Sequence, residues 1–177
     1  MVNPPAAVAS SPFAKGGRNP PYPPLTKGGA QSAGGFGRLE GWESRLDAVI
    51  EQARHEPYEI GRHDCFRVAC AVIEALTGVD RWPEFRGYRT KREALARIAR
   101  HGSSFETAGD WFFGAGRMPV SSASRGDVVA LKTPDGGKHL GVCVDHRVAF
   151  LSETGVIFIP ITDAVSPITM LCAWRVG

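Results

Sequence analysis

The sequence predicts an α+β domain in which three N-terminal helices pack on one side of a small antiparallel β-sheet. Two observations predict this class. Apolar residues recur at helical spacing between residues 42 and 102, and beyond Gly102 the pattern changes to short β-type runs separated by turn residues. Helices that precede a meander of strands are typical of an α+β fold, whereas alternating helices and strands would indicate a parallel sheet.

The composition divides the chain into a tail, residues 1–38, and a folded domain, residues 39–177. The tail is rich in proline and glycine, and such a segment cannot bury enough apolar surface to offset the entropy of ordering, so we expect it to be disordered. The net charge of +3 comes from lysines and arginines of the tail, which leaves the domain close to neutral. A nearly neutral domain argues against nucleic acid as a partner.

Neither a signal peptide nor a membrane span is predicted. No apolar run approaches the ~18 residues of a transmembrane helix. The longest apolar run near the N-terminus is Ala6 to Ala9, which is too short for a signal peptide. We therefore expect a cytoplasmic location in the producing cell, no membrane partner, and four free cysteines rather than disulfides.

Three helices are predicted in order. Residues 42–55 carry an apolar stripe, and Pro57 ends that helix. A second stripe begins at Cys65 and stops at Gly78, a common residue after a helix. A third helix begins at Thr90, which forms a capping-box pattern with the glutamate three residues later, and ends near His101 and Gly102.

The second half predicts five strands joined by short turns. A turn at residues 135–137 has the Asp-Gly-Gly sequence, and Asp145 with His146 is expected to turn the chain between the next two strands. The predicted strands cover residues 127–132, 139–144, 147–151, 156–161 and 168–176.

Cys65 and His139 are the candidate catalytic pair. The reactive form of cysteine is the thiolate, which the unpaired N–H groups at a helix N-terminus favour, and Cys65 begins the second predicted helix. His139 begins a strand and could serve as the base, because such pairs are distant in sequence and close in the fold. Asp64 is read as the helix N-cap, and His63 as a solvent-facing loop residue. Cys65 could instead be a packing residue, and the other three cysteines are read as buried.

The motifs around this pair resemble a known family. "Gly-Arg-His-Asp-Cys-Phe", "Arg-Gly-Asp-Val-Val-Ala-Leu" and "Lys-His-Leu-Gly-Val-Cys-Val" are similar to signatures of the NlpC-like, papain-like cysteine peptidases. Residues 42–176 look similar to a small NlpC-like family of uncharacterised function found among phage and prophage tail-assembly proteins. The resemblance implies a papain-like fold, Cys65 as nucleophile, His139 as base, and a peptidoglycan stem peptide as substrate. It also implies phage tail proteins as partners and a virion-associated location as an alternative.

The sequence departs from that family at the third catalytic position. The family's polar third residue aligns near Leu151, which cannot orient an imidazole. If Asp145 and His146 form a two-residue turn, His139 lies opposite Ser152, and one further loop residue would place it opposite Glu153. The hypothesis is that Glu153 or Ser152 orients His139.

Two functions follow from these patterns. The first is a phage- or prophage-derived thiol amidohydrolase or peptidase acting on cell-wall peptide bonds. The second is a catalytically weak or inactive NlpC-like domain that serves as a structural part of a phage tail, which the apolar Leu151 favours. A zinc site from His63, Cys65 and His139 lacks any ligand pair at zinc spacing, so we expect no metal and no cofactor.

Overall fold

The computed structural model describes residues 37–114, 116–161 and 166–177, which form four helices and one five-stranded sheet. The helices are α1 (Trp42–His55), α2 (Cys65–Thr77), α3 (Lys91–Ile98) and α4 (Phe105–Phe113). The strands are β1 (Val128–Lys132), β2 (Lys138–Val144), β3 (Arg147–Ser152), β4 (Gly155–Pro160) and β5 (Thr169–Trp174). The α+β class and all five predicted strands are confirmed.

The sheet is antiparallel throughout, with the strand order β4-β3-β2-β1-β5. Val144 pairs with Arg147, so Asp145 and His146 form the predicted two-residue turn. Asp145 has a φ of 59°, as a tight hairpin turn of this length requires. The turn sets the register of β2 against β3, which in turn decides where His139 lies.

The prediction of three helices was wrong, because α4 was missed. Ser104 caps this helix by accepting a hydrogen bond from the N–H of Thr107, and the Thr107 hydroxyl accepts one from the N–H of Ser104. Gly109 in its centre lowers the helix propensity of the segment. A Cβ at Gly109 would lie 2.3 Å from Cζ2 of Trp174, so packing against β5 requires the glycine.

The helices cover one face of the sheet and enclose the larger core. Its buried residues come chiefly from α1, α2, β1 and β2, and Trp174 of β5 is wholly buried among them. A smaller cluster that includes Leu131, Cys143 and Phe150 lies on the opposite face. Side chains alternate between these faces along each strand, so neighbouring residues of β2 contribute to different clusters.

Arg38 belongs to the folded part, although the predicted tail extended to residue 38. Its guanidinium donates to Oδ1 of Asp127 at 2.8 Å and to the carbonyls of Arg125 and Val176. Asp127 is fully buried and also accepts hydrogen bonds from the N–H groups of Ser124 and Val176. The remainder of the predicted tail, residues 1–36, lies outside the described residues.

Candidate functional site

Asp64 shapes the start of α2, as the sequence predicted. Its Oδ1 accepts hydrogen bonds from the N–H groups of Phe66 and Arg67 at 3.1 and 2.9 Å. Its Oδ2 accepts from the N–H of Gly61 at 2.7 Å and from the hydroxyl of Tyr88 at 2.6 Å. These four donors stabilise a carboxylate that is almost fully buried. In the first turn of α2, the N–H of Cys65 donates no hydrogen bond to the Asp64 side chain.

Cys65 lies at the N-terminus of α2, next to the end of the β2–β3 ladder. The registered pairs between these strands end at Gly141 and Phe150. The N–H of Cys143 points to β1, where it donates to the carbonyl of Asp127, so by alternation the N–H of Leu140 points to the side of β3. Beyond the last registered pair, hydrogen bonding with the backbone N–H of Leu140 acts to lower the pKa of the Cys65 thiol.

The thiol of Cys65 is protonated near neutral pH. The residue is partly exposed, yet burial of its thiol and the neighbouring Asp64 carboxylate raise the pKa of the thiol to about 12. Hydrogen bonding with the backbone N–H groups of Leu140, Phe66 and Cys65 itself acts in the opposite direction. The N–H groups at the helix start stabilise a thiolate, but burial and the adjacent carboxylate disfavour it more strongly. The net effect is a raised pKa of the thiol.

His139 is the second residue of β2 and is half-buried. Its ring meets that of Phe150 edge-on, with the centroids 5.2 Å apart, and a Cβ at Gly137 would lie 2.9 Å from its Nε2. The ring therefore lies against the turn between β1 and β2. Burial, with the charge of Lys91 as a second cause, lowers the pKa of His139, while the carboxylates of Asp135 and Glu153 oppose this shift. At neutral pH the imidazole is uncharged and able to accept a proton.

The four sequence-predicted site residues line one cleft without hydrogen bonds between them. Cys65, His139, Ser152 and Glu153 all contribute to its wall. No hydrogen bond joins His139 to any of the other three in the part of the chain that the structure describes. Ser152 instead donates its hydroxyl to the carbonyl of Gly155 at 2.8 Å. Glu153 acts on His139 through its charge. The catalytic pair and the orienting residue stay predictions.

Tyr58 is a cleft residue that sequence reasoning missed. It lies beside Cys65 in the cleft wall, and burial with the nearby charges of Cys65, Asp64 and Glu153 raises the pKa of its hydroxyl to about 12. The hydroxyl is therefore a permanent donor at neutral pH. Its position seven residues before Cys65, in the loop that leads into α2, was the signal available in the sequence.

The cleft has a volume of about 390 Å³ and is bounded by three parts of the fold. The loop before α2 and its first residues form one side, and α3 forms another. The β1–β2 turn and the end of β3 close the third side. The volume is within the range of sites for small ligands, about 300–1,000 Å³.

Other predicted roles have mixed outcomes. His63 was expected to face solvent, but only 4% of it is exposed, because its ring hydrogen-bonds the carbonyl of Pro57 at 3.0 Å. Cys70, Cys143 and Cys172 are free and buried, as expected. Leu151 is buried against α1 and α2.

Two searches for other kinds of site concern only the described residues. Within residues 37–114, 116–161 and 166–177, no group of three or more histidine, cysteine, aspartate or glutamate side chains could hold a metal ion. No described helix combines the length and the apolar character needed to cross a bilayer.

The fold and site define a single α+β domain with a cysteine at a helix start inside a cleft. The chain belongs to the family described as "Domain of unknown function (DUF6950)", whose model matches residues 37–176. That match begins one residue before Arg38 and covers all the helices and strands. No curated protein matches the chain.

Proposed function

We propose that this protein is a thiol amidohydrolase in which Cys65 attacks an amide carbonyl. One observation carries the proposal: the sulfur of Cys65 lies at the start of a helix within a cleft that it shares with a neutral histidine, His139. A helix N-terminus supplies N–H donors next to the nucleophile, and the histidine supplies a base. The resemblance of the surrounding motifs to NlpC-like, papain-like peptidases supports the same assignment.

The reaction begins from a neutral pair. The protonated thiol of Cys65 transfers its proton to the imidazole as the sulfur forms a bond to the carbonyl carbon, because the thiol alone does not ionise near pH 7. The imidazolium then protonates the leaving amine as the C–N bond breaks, which leaves an acyl thioester. Neutral His139 next takes a proton from water as the water oxygen forms a bond to the thioester carbon. The imidazolium then returns that proton to the sulfur as the C–S bond breaks, which releases the acid and the thiol. This sequence requires the ring of His139 to turn from Phe150 toward the sulfur.

Two donors are available for the oxyanion. The N–H of Cys65 is not taken by Asp64, and the hydroxyl of Tyr58 stays protonated beside the thiol. Donors of this kind stabilise the charge that develops on the carbonyl oxygen, and loss of one such donor typically costs a factor of about 10²–10³ in kcat.

Glu153 is the better candidate for orienting His139. The hydroxyl of Ser152 is engaged by Gly155 and by Thr154, whereas Glu153 makes no hydrogen bond with a described residue. Its carboxylate opposes, through space, the lowering of the pKa of His139. A carboxylate that accepts the second ring N–H of a catalytic histidine selects its tautomer and stabilises the imidazolium.

The substrate and setting follow from the family resemblance. It supports a cell-wall peptide as substrate, phage tail proteins as partners, and action either in the cytoplasm of the producing cell or as part of a virion. The near-neutral domain and the absence of a described membrane-spanning helix leave no competing indication of a nucleic acid or membrane partner.

Digestion of purified peptidoglycan tests this function. The wild type is expected to release peptides with new amino termini, detected by mass spectrometry, and Cys65→Ala is expected to reduce that rate by a factor of about 10³ or more. Cys70→Ala is the matched control, because it removes a buried thiol outside the cleft. Identical products from the wild type and Cys65→Ala would refute the proposal.

Thiol labelling tests the site without assuming a substrate. Iodoacetamide should modify Cys65 before Cys70, Cys143 and Cys172, since the other three are buried. If His139 assists, His139→Phe should slow the labelling of Cys65 near pH 7 and leave the labelling at high pH unchanged. Equal and slow labelling of all four cysteines would contradict the reactive-thiol assignment.

A structural role in a phage tail is the second candidate. The pKa of about 12 for the Cys65 thiol and the apolar side chain of Leu151 both favour a domain that has lost catalysis. In that case the wild type would release no peptides, and a phage carrying Cys65→Ala would assemble infectious tails as the wild type does. Failure of that variant phage to infect would favour the enzyme.

A further inference from the structure

Helix α3 presents an apolar face to the cleft. Lys91, Ala94, Leu95 and Ile98 line the cleft at positions i, i+3, i+4 and i+7, which share one side of a helix. No residue of α3 is buried, and Leu95 is 51% exposed. Ile98 also packs against the larger core, whereas Leu95 is left exposed in the cleft, and an exposed apolar side chain in a cleft marks a binding surface.

Aromatic side chains also line the cleft. Phe66, Phe85, Phe105 and Phe150 contribute to the same cleft. Phe66 and Phe85 lie with their ring centroids 4.5 Å apart, so they form a continuous apolar surface. A cleft lined by these rings and by Leu95 is suited to a branched or aromatic side chain, which gains free energy by leaving water.

The charged groups of the cleft differ in whether they are already paired. Lys138 forms an ion pair with Glu106 at 2.6 Å. Asp135 accepts hydrogen bonds from the hydroxyl of Thr133 and the N–H of Gly137. Asp64 is engaged by four donors. These groups are therefore already engaged within the protein.

Lys91 and Glu153 make no ion pair or hydrogen bond with a described residue. The Lys91 ammonium is in the first turn of α3, where the helix dipole disfavours a cation, so the position has a local cost. Its charge nevertheless reaches Asp135 and His139 across the cleft. Glu153 repels an anion at its own side, which leaves Lys91 as the group that would hold a ligand carboxylate.

We propose that the cleft selects ligands that combine a bulky apolar side chain with a free carboxylate, through contact with Leu95 and an ion pair with Lys91. The inference rests on the proposed amidohydrolase chemistry, since the amide of such a ligand would meet Cys65, but it departs from a peptidoglycan stem peptide, whose residues carry no branched or aromatic apolar side chain. Lys91 and Leu95 are specificity-determining residues: they contact the substrate away from the reacting atoms.

Fluorescence titration of the full chain with dansyl-leucine and dansyl-leucinamide tests this inference. The two probes share the apolar body, and only the first has a carboxylate. At low ionic strength the acid is expected to bind about five- to tenfold more tightly than the amide, an advantage that salt should reduce. Lys91→Met should remove most of that advantage, and Leu95→Ser should weaken both probes about fivefold or more.

Arg92→Met is the matched control, because Arg92 is an exposed cation on α3 that does not line the cleft. It should change neither affinity by more than about twofold. Absence of saturable binding up to about 1 mM, equal affinities for the two probes, or equal losses in Lys91→Met and Arg92→Met would each overturn the inference. The titration needs no turnover, so its outcome is separate from that of peptidoglycan digestion.

Discussion

The two ends of β2 have opposite designs. At one end the ladder is closed: the N–H of Cys143 donates to the carbonyl of Asp127, and its carbonyl accepts from the N–H of Gly126, both at 2.8 Å. At the other end the registered pairing with β3 stops at Gly141, and hydrogen bonding with the next N–H on that side, that of Leu140, acts to lower the pKa of the Cys65 thiol. We call the end at Cys143 the closed end, which stabilises the sheet, and the end at Leu140 the open end, which lines the cleft.

Two buried aspartates follow the same division. Asp127, at the closed end, has a charged partner in Arg38 and ties the segment before α1 to the segment after β5. Asp64, at the open end, accepts four neutral donors, and its charge raises the pKa of the nearby thiol. Together with burial, both carboxylates raise the pKa of a nearby thiol, Asp127 that of Cys143 and Asp64 that of Cys65. Of the two, only Asp127 has an ion-pair partner among the described residues, and that pair ties distant segments together.

The largest expected effect is at the closed end. Asp127→Ala leaves Arg38 without its carboxylate partner and removes two acceptors for backbone N–H groups, so it should lower the free energy of unfolding by about 3–5 kcal/mol. Asp47→Ala removes an exposed ion pair with Arg125 and should cost less than about 1 kcal/mol. Urea denaturation measures the free energy of unfolding of both variants. Similar losses would contradict the claim that the closed end stabilises the fold.

A glycine supports the open end. Gly61 has a φ of 75°, and a Cβ there would lie 1.9 Å from the carbonyl oxygen of Tyr88. Gly61→Ala should therefore cost on the order of 3 kcal/mol, from strain and displacement of Tyr88. Gly136 has a φ of 83° and open space around it, so Gly136→Ala should cost only about 1 kcal/mol. Equal losses in thermal unfolding would show that the close approach does not matter.

Two tyrosines at the open end are expected to differ in role: Tyr88 stabilises the fold, and Tyr58 assists the proposed reaction. Tyr88→Phe removes the 2.6 Å hydrogen bond to buried Asp64 and should cost about 1–2 kcal/mol of stability. Tyr58→Phe should leave stability within about 0.5 kcal/mol, because its hydroxyl bonds no described residue, but should lower the hydrolysis rate by a factor of about 10². Both variants are compared by chemical unfolding and by the rate of peptide release. A fully active Tyr58→Phe variant would contradict the prediction.

The smallest expected effect is the pH dependence from His139. The unfolded chain binds a proton near its ordinary pKa of about 6.5. The folded chain binds one only at lower pH, since the pKa of His139 is lowered. The contribution of His139 to the free energy of unfolding is therefore constant above the unfolded pKa. It falls as the pH drops from the unfolded pKa through the lower pKa of the folded chain.

His139→Asn should remove this contribution, so the variant should lose less stability between neutral and acidic pH than the wild type. Chemical denaturation at several pH values compares the two slopes, and parallel curves would contradict the lowered pKa. The hydrolysis rate should have its acid limb in the same window, because only neutral His139 can accept the thiol proton.

Local patterns were sufficient for much of the fold. The two-residue turn at Asp145 and His146, the N-cap at Asp64 and the five strands depend on neighbouring residues, and all appear as predicted. Helix α4 was missed because Gly109 weakens its local signal, and the need for that glycine comes from Trp174, far along the chain. His63 was misjudged for a similar reason, since its burial depends on the folding of the loop around it.

The candidate site shows the same limit. Sequence reasoning located Cys65 at a helix start and His139 near a strand start, because capping and turn chemistry decide those positions. It did not indicate that the thiol would be protonated, that Tyr58 would lie beside it, or that α3 would form the cleft wall. Those properties depend on burial and on charges from several elements, which come together only in the folded chain.

The sequence by itself determined helices α1 to α3, the five strands and their order, the turn that sets the β2–β3 register, and the residue that begins α2. Their physical origin is local: periodicity, capping and turn preference act over a few residues. The tertiary structure alone decided which carboxylate is ion-paired, where the ladder opens, and which groups surround the thiol. Desolvation and long-range contacts control those outcomes, and neither is encoded in any short segment.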